Sequence, residues 1–340
     1  MATIVRIVSS TSPAPGVEHQ ISVVIPVYEG EGCLAATVGD LLPYVEPRST
    51  SAGLRYRVAE IILVNDCGPD GSPRVIRELA AAHDVVRPVW LSRNFGQHAA
   101  TIAGIASAGG DWIVTMDEDG QHDPAYLGTL LDAAVTEGAR VVYAQPENPP
   151  RSLGRSLGKL AYVAVNTLSG GPDASMFSSY RLVVGEVGRS IAAYAGSGVY
   201  LDIALGWVVD STIAVPVVMR ADRDHRWGYS LRRSVTDFFR MVLTGGTRGL
   251  RIVSLLGSTL ALVGVLAAIA LVVRQIVSPS EVEGWTSLAV VLLIASGAIV
   301  FTLGVVAEYV GVTVNMALGK PLYVAVQDPA ESPLGRDARR

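Results

Sequence analysis

Between residues 20 and 218 short β-branched runs alternate with stretches whose apolar positions recur at helical spacing. The runs at 21–27, 61–64, 86–91, 112–116 and 141–144 read as strands, with helices between them. Such alternation predicts an α/β domain built on a mostly parallel sheet with helices on both faces. In that architecture ligands bind at the carboxyl ends of the strands. A second pattern follows further along. Residues 252–273 and 286–307 form two uncharged runs of 22 residues each, about 33 Å long as helices at about 1.5 Å per residue. Either is long enough to span a bilayer core of about 30 Å. The expectation is a membrane hairpin rather than two buried core helices.

Composition agrees with this division. Half of the 340 residues are apolar, 17% are charged and the net charge is −4, with a mean hydropathy of +0.38. These values exclude a disordered or collagen-like chain, and no nucleic-acid partner is expected. Cys33 and Cys67 cannot form a disulfide framework and lie in no zinc-binding spacing, so a reducing, cytosol-facing compartment is the expectation. Residues 1–19 lack the basic start and long apolar run of a signal peptide and read as a loose leader. Residues 220–251 carry eight Arg against three Asp, whereas residues 274–285 carry one Arg and two Glu. By the positive-inside tendency the large N-terminal part is cytoplasmic, in a multi-pass protein of the cell membrane. Residues 229–243 place Leu231, Val235, Phe238, Phe239 and Val242 at helical spacing with Arg232, Arg233 and Arg240. Such a helix suits a lipid interface, or equally a packed position on the soluble domain.

Polar clusters fall where the strands should end. They are Pro26-Val27-Tyr28-Glu29, then Asn65-Asp66 with Gly68, Asp70 and Gly71, then Arg93-Asn94-Phe95-Gly96, and lastly Asp117-Glu118-Asp119-Gly120-Gln121. No dinucleotide fingerprint or phosphate-binding P-loop occurs at a strand–helix junction, which disfavours dehydrogenases and P-loop NTPases. Asp117 and Asp119, two residues apart in an extended stretch, would share a face. Two hard oxygens on one side suit Mg2+ or Mn2+, with Gln121 as a third oxygen donor.

These clusters, taken together and in order, carry a resemblance. Val23-Val24-Ile25-Pro26-Val27-Tyr28, residues 64–72, residues 91–96, residues 116–121 with Pro124, Tyr180-Arg181-Leu182 and residues 225–230 resemble family-2 glycosyltransferases of the GT-A fold. More narrowly, they are similar to the polyprenyl-phosphate glycosyltransferases, which include dolichol-phosphate mannose synthase and bacterial undecaprenyl-phosphate sugar transferases. Asn65 stands where a first Asp is commoner, Cys67 and Gly68 replace Gly-Ser, and Glu118-Asp119-Gly120 replaces Ala-Asp-Leu. The implied organisation is a GT-A catalytic domain over 20–228, a juxtamembrane region over 229–250, two transmembrane helices within 251–310 and a cytoplasmic tail over 311–340.

The resemblance implies a nucleotide-sugar pocket for a UDP- or GDP-sugar. Pro26, Tyr28 and Glu29 would flank base and ribose, Asp66 would contact either, and Asp117, Asp119 and Gln121 would hold the metal on the diphosphate. The acceptor side is basic. Arg151, Arg155 and Lys159 recur every four residues and share one face of a helix. With Arg181 and Arg226 they would grip the phosphate of a polyprenyl phosphate, Arg155 and Arg181 acting beside Asp117 and Asp119 in catalysis. Asp202 is read as a sugar-hydroxyl or structural residue. The implied activity is inverting transfer of a single sugar to polyprenyl phosphate, in a protein with room for homo-oligomerisation. The alternatives are a processive polysaccharide synthase, suggested by Asp224-His225-Arg226-Trp227, and a non-catalytic membrane-anchored nucleotide-sugar-binding subunit.

Overall fold

The computed structural model describes residues 17–147, 176–196, 200–220, 285–318 and 321–331, with isolated positions between 259 and 277. In chain order its elements are β1 (Glu18–Val27), α1 (Leu34–Leu41), β2 (Arg48–Ser49), β3 (Arg55–Asn65), α2 (Ser72–Ala82), β4 (Val86–Leu91), α3 (Gln97–Ser107), β5 (Trp112–Thr115), α4 (Leu127–Glu137), β6 (Val141–Pro146), β7 (Arg181–Val184), α5 (Gly185–Tyr194), α6 (Leu201–Val208), β8 (Thr212–Val217), α7 (Trp285–Ala317) and β9 (Ala325–Val326).

One sheet runs β8-β6-β7-β5-β1-β3-β4-β9, with β2 paired to β3. β1 is parallel to β3 and β5, β3 to β4, and β6 to β8. All five strands anticipated from the sequence are present. β7 lies antiparallel between β5 and β6, so the sheet is mixed though mostly parallel. It escaped the sequence reading because it is only four residues long, opens with Arg181 and follows Ser178 and Ser179.

Alternation along the strands divides the core in two. Ile21, Val23, Ile25 and Val27 of β1 join Ile61 and Leu63 of β3 on one face, under α1, α2 and α4. Val24, Ile62 and Val64 join α3, α5 and α6 on the other. Both faces are covered, which is why the strands are apolar at nearly every position. α3 consists mainly of small residues on its sheet-facing side and packs very close. A Cβ at Gly104 would stand 2.3 Å from Val24 Cγ1 and 2.9 Å from Val64 Cγ2.

The C-terminal segment returns to this domain. β9 pairs antiparallel with β4, and Ser92 N–H donates to the Val324 carbonyl at 2.9 Å. Arg77 pairs with both Asp328 carboxylate oxygens at 2.6 and 2.7 Å while its guanidinium lies over the Trp90 ring at 4.9 Å. The segment thus satisfies the backbone edge that β4 would otherwise leave open. α7 is 33 residues long and leaves Leu288, Val291, Leu292, Ile299, Val300 and Leu303 exposed. Counting only the described residues, no helix is long and apolar enough to cross a membrane. Residues 1–16, the helix anticipated at 229–243 and all but isolated positions of the run 252–273 lie outside the described residues.

The tight seat of α3 yields a direct expectation. Gly104→Ala forces a methyl into Val24 and should destabilise the domain by about 1–3 kcal/mol. Gly39→Ala, on α1 with nothing within 4 Å, should be neutral or stabilising by up to about 1 kcal/mol. Denaturant unfolding of the two variants beside the unaltered protein checks the contrast.

Candidate active site

Four loops leave the carboxyl ends of β1, β3, β4 and β5 side by side. Asp66 N–H donates to the Val27 carbonyl at 2.8 Å, holding the ends of β1 and β3 together. Just beyond, Gly68 passes so close to Tyr28 that a Cβ would lie 1.4 Å from the Tyr28 carbonyl oxygen, so only glycine fits. Asp66 itself is 2% exposed. Its Oδ1 accepts from Phe95 N–H at 2.8 Å and its Oδ2 from Gly96 N–H at 2.9 Å. Burial raises its pKa, and the two amide donors oppose that rise.

The loop fixed by Asp66 opens into α3, whose first residue reaches across to β5. Gln97 Nε2 donates to Asp117 Oδ1 at 2.7 Å, and Ser179 Oγ donates to Asp117 Oδ2 at 2.6 Å. Asp117 N–H donates to His122 Nδ1 at 2.9 Å. The buried imidazole stacks on Tyr180, ring centroids 4.8 Å apart. Burial lowers the His122 pKa, although Asp117 and Asp119 both act to raise it. The ring is therefore neutral at pH 7, and its Nδ1 is already an acceptor.

The stretch carrying Asp117 and Asp119 is not extended. The chain turns at Glu118 and Asp119 and passes Gly120 at φ +74°, with Gln121 N–H donating to Asp119 Oδ1 at 2.9 Å. Alternation along a strand is therefore not what relates the two carboxylates. A tight turn does so, and it leaves them both half-buried beside His122. Glu118 points elsewhere: its Oε2 accepts from Tyr28 N–H at 3.0 Å and its Oε1 from Glu29 N–H at 3.2 Å. Burial pushes its pKa up to about 7 against those two donors, with Asp70 and Asp117 adding to the rise.

Beneath the turn lies a buried polar group. Arg181, 4% exposed, faces Thr115 across the β5–β7 ladder and forms an ion pair with Asp202 of α6. Tyr143 Oη donates to the same Asp202 oxygen at 2.9 Å, and Arg181 Nε has no hydrogen-bond partner among the described residues. Arg181 thus stands below the site as a fixed charge, and reaching a phosphate would require breaking its pair with Asp202.

The structure brings together Pro26, Tyr28, Glu29, Asp66, Asp117, Asp119 and Gln121 at one end of the sheet. Arg151, Arg155, Lys159 and Arg226 lie outside the described residues. Gln97, Ser179, His122 and the loop contacts of Glu118 went unread in the sequence. Gln97 and Ser179 act from 20 and 62 positions away from Asp117, beyond any local spacing signal, whereas His122 stood in plain view beside Gln121. Among the described residues no group of three or more His, Cys, Asp or Glu is arranged to hold a metal. Two carboxylates and an amide oxygen remain, a hard donor set that fits a divalent cation sharing its other positions with phosphate and water.

The comparisons with known proteins agree with this geometry. The family model described as glycosyl transferase family 2 matches residues 22–161, which contain all four loops. The chain is 30% identical over 312 residues to the undecaprenyl-phosphate 4-deoxy-4-formamido-L-arabinose transferase of Klebsiella pneumoniae strain 342, covering 89% of this chain and 92% of that one. A crystal structure titled only as a mycobacterial protein shares the fold, with a TM-score of 0.50 and 19% identity over 68% of this chain and 74% of its own. Glucosyl-3-phosphoglycerate synthase from Mycobacterium tuberculosis, solved with Mn2+, UDP-glucose and phosphoglyceric acid, gives 0.49 and 20% over 68% and 79%. The identity to a full-length relative, together with the match over the loops that build the site, establishes that the chain belongs to glycosyl transferase family 2.

Proposed function

We propose that this protein moves one sugar, with inversion, from a UDP- or GDP-sugar to polyprenyl phosphate at the cytoplasmic face of the cell membrane, giving a lipid-linked sugar for envelope or protein glycosylation. The observation that carries the reading is the turn bearing Asp117 and Asp119 at the end of β5, set beside Asp66 in a family 2 chain. The alignment over nearly the whole length of an undecaprenyl-phosphate sugar transferase supports the choice of acceptor.

Asp117 and Asp119, with Gln121, would hold Mg2+ or Mn2+. Bound there, the cation would neutralise charge on the leaving diphosphate. A neutral His122 leaves the negative potential of the turn to the two carboxylates. Pro26, Tyr28 and Glu29 flank the base and ribose. Each Asp66 oxygen accepts one loop amide and keeps a lone pair for the nucleotide.

An acceptor phosphate is mostly a dianion at pH 7, its second pKa lying near 6. Its oxygen attacks the anomeric carbon, the bond from that carbon to the diphosphate breaks, and the nucleoside diphosphate leaves. No general base is needed, and none is assigned. Alignment and charge neutralisation lower the barrier. Arg151, Arg155, Lys159 and Arg226 orient the acceptor phosphate, while Arg181, tied to Asp202, contributes as a positive charge from below the turn. The uncharged runs 252–273 and 286–307 anchor the chain in the bilayer, a reading supported by the apolar side chains that α7 leaves uncovered.

Membranes containing the protein, incubated with labelled UDP- and GDP-sugars and extracted with organic solvent, should yield a lipid carrying a single sugar. An insoluble polymer would indicate a processive synthase, and no product from any donor a binding subunit. In this assay Asp117→Ala and Asp119→Ala should each lose at least about a hundredfold in rate, equivalent to at least about 2.7 kcal/mol of transition-state stabilisation, and a chelator should abolish transfer by the unaltered protein. Full activity of both variants in chelator contradicts the metal assignment. Arg155→Ala should leave nucleotide affinity nearly unchanged while raising the KM for polyprenyl phosphate or lowering turnover about tenfold. Separate titrations of nucleotide and lipid acceptor distinguish this from a donor-side role.

A further inference from the structure

The loop that follows β1 has no strand to pair with, and its successive amides are taken up by side chains from two neighbouring loops. Tyr28 and Glu29 N–H donate to Glu118. Gly30 N–H donates to Ser72 Oγ at 2.9 Å, and Glu31 N–H to Asp70 Oδ2 at 2.9 Å. Glu118 therefore supplies the acceptors for two consecutive amides, one to each carboxylate oxygen. It is tied to the domain a second time, because Thr37 Oγ1 donates to its carbonyl at 2.9 Å. Gly30 makes room for the arrangement, since a Cβ there would lie 2.6 Å from Glu118 Oε2.

Its neighbours in sequence make this placement informative. Asp117 is held by Gln97 and Ser179, and Asp119 accepts the Gln121 amide, so the turn faces one loop through its aspartates and another through Glu118. What Glu118 does there is geometric: each of its oxygens accepts one amide of the loop after β1.

We infer that Glu118 is a positioning residue for donor binding: its carboxylate fixes Tyr28 and Glu29 in register with the Asp117–Asp119 turn, so that one short segment sets where both the nucleoside and the diphosphate of the donor lie. The inference rests on the donor site proposed above and adds to it a residue that need not touch substrate.

The test titrates UDP and GDP, in chelator so that no metal enters, into the full-length protein and its Glu118→Ala, Glu118→Gln and Gly30→Ala variants. The unaltered protein should bind one of the two nucleotides. Glu118→Ala should bind it about tenfold more weakly, Glu118→Gln should fall between because one carbonyl oxygen still accepts an amide, and Gly30→Ala should resemble Glu118→Ala by displacing the carboxylate. In the transfer assay donor KM should rise by more than turnover falls, while the KM for polyprenyl phosphate and the melting temperature stay close to those of the unaltered protein. Should Glu118→Ala fail to fold, the other two variants carry the same comparison. Unchanged nucleotide affinity in the folded variants, or a lower turnover with donor KM unchanged, overturns the positioning role alone. If the unaltered protein binds neither nucleotide in chelator, the same variants are compared with Mg2+ present, and failure to bind either nucleotide under both conditions overturns the proposed function and this inference with it.

Discussion

At the end of β3 a carboxylate with 2% of its surface exposed gives each oxygen to one backbone amide of the next loop. Removing an ionised carboxyl from water costs several kcal/mol unless hydrogen bonds replace the lost hydration. The Phe95 and Gly96 amides supply that replacement, and in return Asp66 fixes a segment that no strand organises. From there the constraint passes along the end of the sheet. Gly96 leads into α3, Gln97 at its start holds Asp117, and Glu118 next in line holds Tyr28 and Glu29. The loop after β1 then lies against Gly68, two residues beyond Asp66. The two acids that accept loop amides, the Gln97–Asp117 hydrogen bond and the packing of Gly68 on Tyr28 thus link the four loops in a closed circuit.

Such a circuit suits a reaction that depends on placement. Transfer to a phosphate dianion needs no proton removed, so the site has to align two anionic reactants and offset their charge. The turn concentrates negative charge without a protonated histidine to offset it, which favours a divalent cation there. Beneath it, the Arg181–Asp202 pair joins β7 to α6. The tail bound along β4 closes the sheet edge that leads into the Arg93–Gln97 loop.

The sequence carried much of this and withheld part of it for physical reasons. Strands buried on both faces read clearly because their central positions are almost all apolar, and the polar clusters at their ends read as loops. The turn at Glu118 reads as extended chain in the sequence, since a two-residue spacing between acids looks the same in either state, and what marks it is the positive φ at Gly120 and the Gln121 amide on Asp119. β7 stays hidden because it is four residues long and opens with Arg181, whose buried partner Asp202 lies 21 residues away. Arg181 itself looked like a phosphate ligand for the same reason, an arginine in a motif giving no sign of a buried partner. Gln97, Ser179 and the return of β9 to β4 depend on contacts between distant segments, to which local pattern is blind.

Amide hydrogen exchange in the ligand-free protein tests most directly whether buried carboxylates organise the site before any substrate arrives. The account predicts that the amides of Phe95, Gly96, Tyr28 and Glu29 are protected although no strand covers them, and that Asp66→Ala releases Phe95 and Gly96 while leaving the amides of β1 and β3 slow. Exchange of those four loop amides at the rate of an unstructured peptide in the unaltered protein would contradict it.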